Sequence, residues 1–103
     1  MNFFVYILYS EKANKYYVGH TSDVQKRFWE HNNLGTTTKF TAKYLPWKLM
    51  AHFFVSETRA DALAVERFIK NQKSRKFLSK IIQNNSDKFF IAEIIKMANK
   101  KTK

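Results

Sequence analysis

The stretch that decides the fold is residues 3–20, which read FFVYILYSEKANKYYVGH. It contains two runs of β-branched, aliphatic and aromatic residues, at positions 3–9 and 16–20, and such runs favour β-strands. The polar residues 10–15 between them are turn formers without a tight two-residue signal. We therefore predict a β-hairpin whose loop is longer than the shortest class.

A helix is predicted directly after the hairpin, at Val24–Asn33, where apolar residues recur at helical spacing. Thr-Ser-Asp at positions 21–23 supplies side chains that cap a helix, and Gly35 is a typical C-terminal stop. From residue 35 to 47 the sequence has no clear period, and a loop of this length in a small domain is usually functional or mobile.

The second half of the chain adds one strand and further helices. Residues 48–55 have strand character. Residues 58–61, Thr-Arg-Ala-Asp, match a capping box with Asp in place of the usual Glu, and the helix behind it runs to about Lys73. Ser74 interrupts the pattern, which resumes with another apolar stripe and ends in a last helix at residues 87–99.

The order β-β-α-β-α-α, with short strands, predicts an α+β fold in which a small three-stranded, mainly antiparallel sheet is flanked by helices. We divide the chain into a domain at residues 1–85, a C-terminal helix at 86–99 that packs on the same domain, and a basic tail at 100–103.

Composition narrows the class of protein. The chain has 103 residues, the size of one small domain, and its 45% hydrophobic content is enough for one core. Because there is no cysteine, disulfides, thiolate zinc sites and cysteine nucleophiles are excluded. The apolar start of the chain is too short for a membrane span and lacks the basic start of a signal peptide, so we expect a cytoplasmic protein.

The charge indicates a phosphate-bearing partner. Lys and Arg outnumber Asp and Glu by 19 to 8, which gives a formal net charge of +11. Self-repulsion destabilises so basic a compact chain, and nucleic acid is the commonest compensating partner. The alternative is a Lys-rich protein with no nucleic-acid role.

Three polar residues fall where the predicted helices meet the core. Arg27 and His31 lie four residues apart on one face of the first helix, either as functional groups or as a guanidinium over apolar surface and a histidine filling the helix end. Glu66 falls on the buried side of the second helix, where a carboxylate needs a partner. That partner is an Arg or Lys, or a hard cation such as Mg²⁺, which needs only one or two protein carboxylates.

The hairpin supplies further candidates. Tyr6 and Tyr17 lie on its two strands, where cross-strand pairing can bring them together, although tyrosines in an aromatic-rich sheet are ordinarily core residues. Gly19 lies near the end of the second strand, and a glycine there often marks the close approach of a ligand or of backbone.

In order and spacing, these residues resemble the motifs of the GIY-YIG nuclease family. The matching stretches are VYI at 5–7, YVG at 17–19, RFWEH at 27–31 and Glu66. The likeness continues through KFT at 39–41 and PWK at 46–48, which resemble the small stand-alone members of the family. It spans nearly the whole chain.

The resemblance implies one nuclease site and makes residues 1–85 its catalytic domain. Tyr6, Tyr17 and Arg27 are its catalytic residues, His31 joins them in several branches of the family, and Glu66 binds one divalent ion, Mg²⁺ or Mn²⁺. We expect these five residues to converge on one concave surface, with the two strands and two helices sharing one face of the sheet.

We assign substrate binding to Gly19, Lys39 and Lys43, since the two lysines lie on the long loop and can follow a nucleic-acid backbone. Two departures from the family pattern are visible. Val5 stands where the family name has Gly, which bears on strand packing more than on chemistry because Tyr6 is kept. Some members place an Asn about one helix beyond the metal-binding Glu, and no Asn in this sequence lies at that distance.

The leading hypothesis is a metal-dependent endonuclease that acts on DNA, branched or single-stranded, with low sequence specificity, in repair or recombination. Targeting is open to a protein partner. The alternative is a non-catalytic nucleic-acid-binding module on the same scaffold.

Overall fold

The computed structural model of the protein describes residues 1–33 and 43–101. Its strands are β1 (Phe3–Ser10), β2 (Lys15–Thr21) and β3 (Lys48–Ser56), and its helices are α1 (Val24–Asn33), α2 (Arg59–Asn71), α3 (Arg75–Gln83) and α4 (Lys88–Lys101). Gly35, Lys39 and most of the predicted long loop lie outside the described residues.

The strands form one antiparallel sheet in the order β2-β1-β3. β1 pairs with β2 through the predicted hairpin, in a register that sets Tyr6 opposite Gly19 and Leu8 opposite Tyr17. The predicted α+β fold is confirmed. Each strand is slightly longer than its apolar run, because polar residues at the strand ends also join the backbone hydrogen-bond ladder.

Side-chain caps fix the starts of the helices. Asp23 accepts a hydrogen bond from a backbone N–H in the first turn of α1 at 3.1 Å, as predicted. Thr58 caps α2 by accepting from the Asp61 N–H, but the Asp61 carboxylate accepts from the Ser56 hydroxyl at 2.8 Å instead of completing the capping box. Ser74, predicted as an interruption, is the N-cap of α3.

Helices α2, α3 and α4 cover one face of the sheet. Val5 and Ile7 of β1 meet Val65 of α2, Ile81 of α3 and Ile94 of α4 in one buried aliphatic core. The predicted C-terminal helix therefore packs against the rest of the chain, and it runs to Lys101, inside the predicted tail. The division into domain, helix and tail stays a prediction. None of the described helices is long and apolar enough to cross a membrane.

Helix α1 covers the opposite face. Side chains alternate along a strand, so Tyr6 and Leu8 point to this side, where they pack with Val24 and Trp47. The Asn32 side chain fastens the end of α1 to the backbone of Trp47, accepting from its N–H at 2.6 Å and donating to its carbonyl at 3.0 Å. The sheet is thus a middle layer between α1 and the other three helices.

Candidate active site

Tyr6 is the centre of the site, and Gly19 makes room for it. The Tyr6 ring lies across β2 at Gly19, where a Cβ atom would stand 2.5 Å from the phenol oxygen and 2.6 Å from Cζ. Any side chain at position 19 would displace the ring. The predicted close approach therefore exists, but the approaching group is Tyr6 of the same chain, and a substrate-binding role for Gly19 stays a prediction.

His31 of α1 is fully buried beside Tyr6. The Tyr6 hydroxyl lies 2.9 Å from Nε2 of His31. Burial, assisted by the charge of Arg27 and opposed by Glu30, lowers the pKa of His31 to about 4. The imidazole is therefore neutral at physiological pH. Its Nδ1 atom is buried without a hydrogen-bond partner among the described residues.

Arg27 lies one turn before His31 and connects Tyr6 with solvent. Its Nη1 donates to Oε1 of Glu30 at 3.4 Å, and its side chain is 38% exposed. The guanidinium is also close enough to Tyr6 to oppose the rise in the pKa of that phenol. Because the phenol is protonated and the imidazole is neutral, we assign the phenol as the donor to Nε2 of His31.

The Tyr6 phenol stays protonated at physiological pH. Burial raises the pKa of Tyr6, the nearby Tyr17 and Glu66 raise it further, and Arg27 acts in the opposite direction. Tyr6 is therefore a hydrogen-bond donor in this site and not a free phenolate.

Tyr17 completes the aromatic cluster. Its ring centre lies 6.3 Å from that of Tyr6 and 5.0 Å from that of His31, with an edge-on approach to the imidazole. It is less buried than Tyr6. The expected meeting of the two tyrosines is observed.

Glu66 belongs to α2, and both of its carboxylate oxygens are engaged. His20 Nδ1 lies 2.7 Å from Oε1, and Lys70 Nζ donates to Oε2 at 2.9 Å. The Glu66 side chain is 13% exposed. The ion pair that the sequence left open as one alternative is therefore present, with Lys70 as the cation.

The prediction that the five residues share one face of the sheet is wrong. Tyr6 and Tyr17 point toward α1, whereas His20 and its partner Glu66 lie on the α2 side. The two halves meet around β2, which is an edge strand, since Lys70 binds Glu66 and its Nζ lies 5.5 Å from the Tyr17 ring centre. Apolar spacing indicates which side of a helix is buried, but not which side of a sheet the helix covers.

Two cavities border this edge strand. One, of about 500 Å³, is lined by residues that include His20 and Arg27. The other, of about 510 Å³, is lined by residues that include Tyr17 and Lys70. Solvent and ligands can therefore approach the site from both faces of the sheet.

Sequence reasoning missed three partners of the site residues. Lys70 and Glu30 stand at i+4 from Glu66 and i+3 from Arg27, a spacing that signals side-chain contact on a helix. His20 is 46 positions from Glu66, and only its place beside Gly19 hinted at the site.

The described contacts do not join the other predicted substrate-binding residues to this cluster. Lys43 is exposed, and its Nζ lies 5.8 Å from the centre of the Tyr44 ring. Lys39 lies outside the described residues. Their role in substrate binding stays a prediction.

A divalent metal at Glu66 would rely on a single carboxylate. In the described part of the chain, no group of three or more His, Asp or Glu side chains is arranged to hold a metal. Mg²⁺ tolerates such a site, because water and substrate phosphate complete its shell. Lys70 is 45% exposed on a flexible stem and can release Oε2, so the donor set fits one hard cation.

Comparison with known proteins identifies relatives over most of the chain. A family model of the GIY-YIG catalytic domain matches residues 2–81. The UPF0213 protein YsiG of Lactococcus lactis is 34% identical over 100 residues, covering 96% of this chain and 92% of that protein. The UPF0213 protein lwe0147 of Listeria welshimeri is 36% identical over 74 residues, 72% of this chain and 80% of the relative.

The fold is also similar to a solved structure. The solution NMR structure of the UPF0213 protein BH0048 from Bacillus halodurans matches with a TM-score of 0.50 and 27% identity. The match covers 86% of this chain and 90% of that one.

Proposed function

Because the chain belongs to the GIY-YIG family, a nuclease-type family that acts on nucleic acid and generally uses a divalent metal, we propose that it is a metal-dependent endonuclease hydrolysing DNA phosphodiester bonds. The observation that carries the proposal is the cluster of Tyr6, Tyr17, Arg27 and His31, joined by Glu66 around an edge strand. Its cofactor is one Mg²⁺ or Mn²⁺, and its role is in DNA repair or recombination.

Arg27 binds the phosphate that is cut. It lines a cavity, is partly exposed and keeps an orienting contact to Glu30. A guanidinium offers forked, charge-assisted hydrogen bonds to phosphate oxygens, which neutralise the charge that grows during hydrolysis.

Tyr17 activates the attacking water, and Tyr6 and His31 support it. Tyr6 keeps its proton and is held in place by its contacts with His31 and Gly19. His31 shares proton transfer: its neutral Nε2 can accept the Tyr6 proton across 2.9 Å, while Tyr6 takes the proton of Tyr17 and Tyr17 takes the proton that the attacking water releases.

Glu66 holds the metal. A divalent ion bound there would supply positive charge that helps the leaving oxygen to depart. His20 orients Oε1 through its Nδ1 contact, in the manner of a histidine that positions a ligating carboxylate. Lys70 gives up Oε2 and remains beside Tyr17, where its ammonium attracts phosphate.

Low sequence specificity follows from the charge. The chain has 19 Lys and Arg side chains, and binding through such cations releases counterions from the nucleic acid, whatever its sequence. The affinity for DNA should therefore fall steeply between low and physiological salt and vary little among DNA sequences.

The test replaces Glu66 with Gln, which keeps the volume but removes the charge. Nicking of plasmid, branched and single-stranded DNA is measured in Mg²⁺ and in Mn²⁺ beside a matched Glu93→Gln variant, whose carboxylate is exposed on α4. We expect Glu66→Gln to lose about 100-fold or more in cleavage while DNA binding persists, since metal charge stabilisation contributes several kcal/mol. Glu93→Gln should cut normally.

Melting curves separate the two roles of Glu66. Losing the contact to Lys70, whose ammonium can return to water, should cost about 1 kcal/mol without metal. Added Mg²⁺ or Mn²⁺ should raise the Tm of the wild type and of Glu93→Gln, but not of Glu66→Gln. A Glu66→Gln protein that cuts at the wild-type rate would refute the proposal, and a wild type that binds DNA without cutting any of it would favour the binding module.

A further inference from the structure

A basic groove lies on the α2 side of the edge strand. It has a volume of about 510 Å³. Its wall includes Lys15, Tyr16, Tyr17, Lys70, Lys73 and Arg75. We call it the lysine groove. Four of these six side chains are cations, and no carboxylate belongs to its described wall. Such a surface attracts a polyanion.

The lysine groove begins at the candidate active site. Tyr17 and Lys70 belong to both, and Lys70 Nζ bonds to Glu66 at 2.9 Å. A strand whose phosphate is bound between Arg27 and Glu66 would meet this groove as it passes around β2. The lysine groove therefore has both the position and the charge to receive that strand.

The wall of the groove is held in place by side-chain contacts. Arg75 donates to the backbone carbonyl of Asn14 at 3.1 Å and to its Oδ1 at 2.7 Å, and its guanidinium lies 5.1 Å from the Tyr16 ring centre. These contacts tie the hairpin loop to α3. The groove is therefore built before any ligand arrives.

Two lysines are available for phosphate. Lys15 and Lys73 are exposed, and neither takes part in an ion pair within the described residues. The Lys15 Nζ lies 5.7 Å from the centre of the Tyr44 ring, and its flexible stem lets it leave that ring for a phosphate. Lys73 has φ 49° directly after α2, where glycine is the usual residue. The chain thus keeps a charged side chain at a backbone position that disfavours one.

Resting on the proposed nuclease function, we propose that the lysine groove binds the sugar-phosphate backbone of a single nucleic-acid strand that continues from the cleaved bond. A basic groove that also carries aromatic side chains, here Tyr16 and Tyr17, is the usual way in which proteins hold a single strand. The preferred substrate is then DNA with a single-stranded branch.

The test is direct binding in EDTA, where no cleavage occurs. Fluorescence anisotropy is measured with a labelled single strand of DNA, the same strand as RNA, and a blunt DNA duplex. The groove variant is Lys15→Gln with Lys73→Asn, because Asn tolerates positive φ. The control, Lys80→Gln with Lys96→Gln, removes the same charge from exposed positions outside the groove.

We expect the groove variant to lose two phosphate contacts on single strands. The slope of log affinity against log salt should fall by about 1.4, which corresponds to about 25-fold at 0.1 M salt if affinities converge at 1 M. Duplex binding and the control should change less than about twofold by the same reasoning. Comparing the DNA and RNA arms decides which strand chemistry the groove prefers.

Equal losses in the groove variant and the control, or on single strand and duplex, would overturn the proposal. Lys15→Arg with Lys73→Arg should bind as the wild type does, and a loss there would show that packing, not charge, was changed. A protein that cuts plasmids while its groove variant binds single strands normally refutes the groove alone. A wild type that uses the groove but never cuts refutes only the nuclease.

Discussion

The two faces of the sheet bury different kinds of side chain. The face under α2, α3 and α4 is apolar and mostly aliphatic at its centre, with Val5, Ile7 and Ile81 fully buried. The face under α1 buries a tyrosine and a histidine that bond to each other. One strand thus sends its odd-numbered side chains into an ordinary core and its even-numbered Tyr6 into the candidate active site. Alternation along β1 therefore separates the aliphatic core from the tyrosine–histidine half of the candidate site.

Within the described residues, only the α1 face buries a side-chain polar atom that has no hydrogen-bond partner. His31 is buried with Nδ1 unpaired among the described residues, and an unsatisfied buried polar atom costs about 1 to 3 kcal/mol. Local rules of this kind are broken most often at functional sites. The difference between the faces can be measured.

The largest expected effect on folding is on the aliphatic face. Ile81→Ala should lower the free energy of unfolding by about 2 to 5 kcal/mol, because a fully buried side chain is lost and a cavity remains. Urea unfolding measures it. Cleavage by the molecules that remain folded should be unchanged, and a parallel loss of activity would mean that the faces are not independent.

The converse change is on the α1 face. Arg27→Ala should reduce cleavage by about 10² to 10³-fold, the usual effect of removing one group that stabilises transition-state charge. Its unfolding free energy should move by about 1 kcal/mol or less, because the Arg27–Glu30 pair is partly exposed. Single-turnover rates and urea curves on one preparation give both values. Unfolding that accounts for the lost activity would contradict the separation.

Protonation of His31 should weaken the α1 face. The pKa of His31 is about 4 when folded and about 6.5 when unfolded, so the unfolded chain binds a proton first as the pH falls. His31 therefore costs no stability at pH 7 and up to about 3 kcal/mol at pH 4. In urea titrations this component should vanish in His31→Gln and persist in His52→Gln, whose side chain is exposed. Identical pH curves for wild type and His31→Gln would exclude it.

The smallest expected effect is at the contact of Gly19 with Tyr6. Gly19→Ala should destabilise the protein by about 1 to 3 kcal/mol, because its Cβ overlaps the phenol. In a Tyr6→Leu background, which removes the overlapping atoms, the same change should cost clearly less. A double-mutant cycle on unfolding free energies measures this coupling, and a coupling energy of zero would place the strain elsewhere.

Much of the fold was predictable because its signals are local. The apolar runs at 3–9 and 16–20 specified the hairpin, and Asp23, Thr58 and Ser74 marked helix starts with their own side chains. The two-sided arrangement of the helices was not predictable, since it depends on strand order and on the side to which each connection crosses.

In the candidate site too, contacts within one helix or one hairpin were predictable, and contacts between distant parts of the chain were not. Arg27 and His31 were placed together by helical geometry, and Tyr6 and Tyr17 by the hairpin. The contact of Glu66 with His20 joins two residues 46 positions apart, and no local pattern encodes it. The role of Gly19 required the cross-strand register, because the loop alone does not say which residue faces Tyr6.

The contact between Gly19 and Tyr6 also restricts the order in which mutations can accumulate in this lineage. While Tyr6 lies across position 19, any side chain there overlaps the phenol, so substitutions of Gly19 are selected against. Once a descendant has lost Tyr6, larger residues can replace Gly19. A larger residue at position 19 then prevents a later substitution back to tyrosine at position 6. Among homologous sequences, a bulky residue at position 19 should therefore mark descendants that have given up Tyr6.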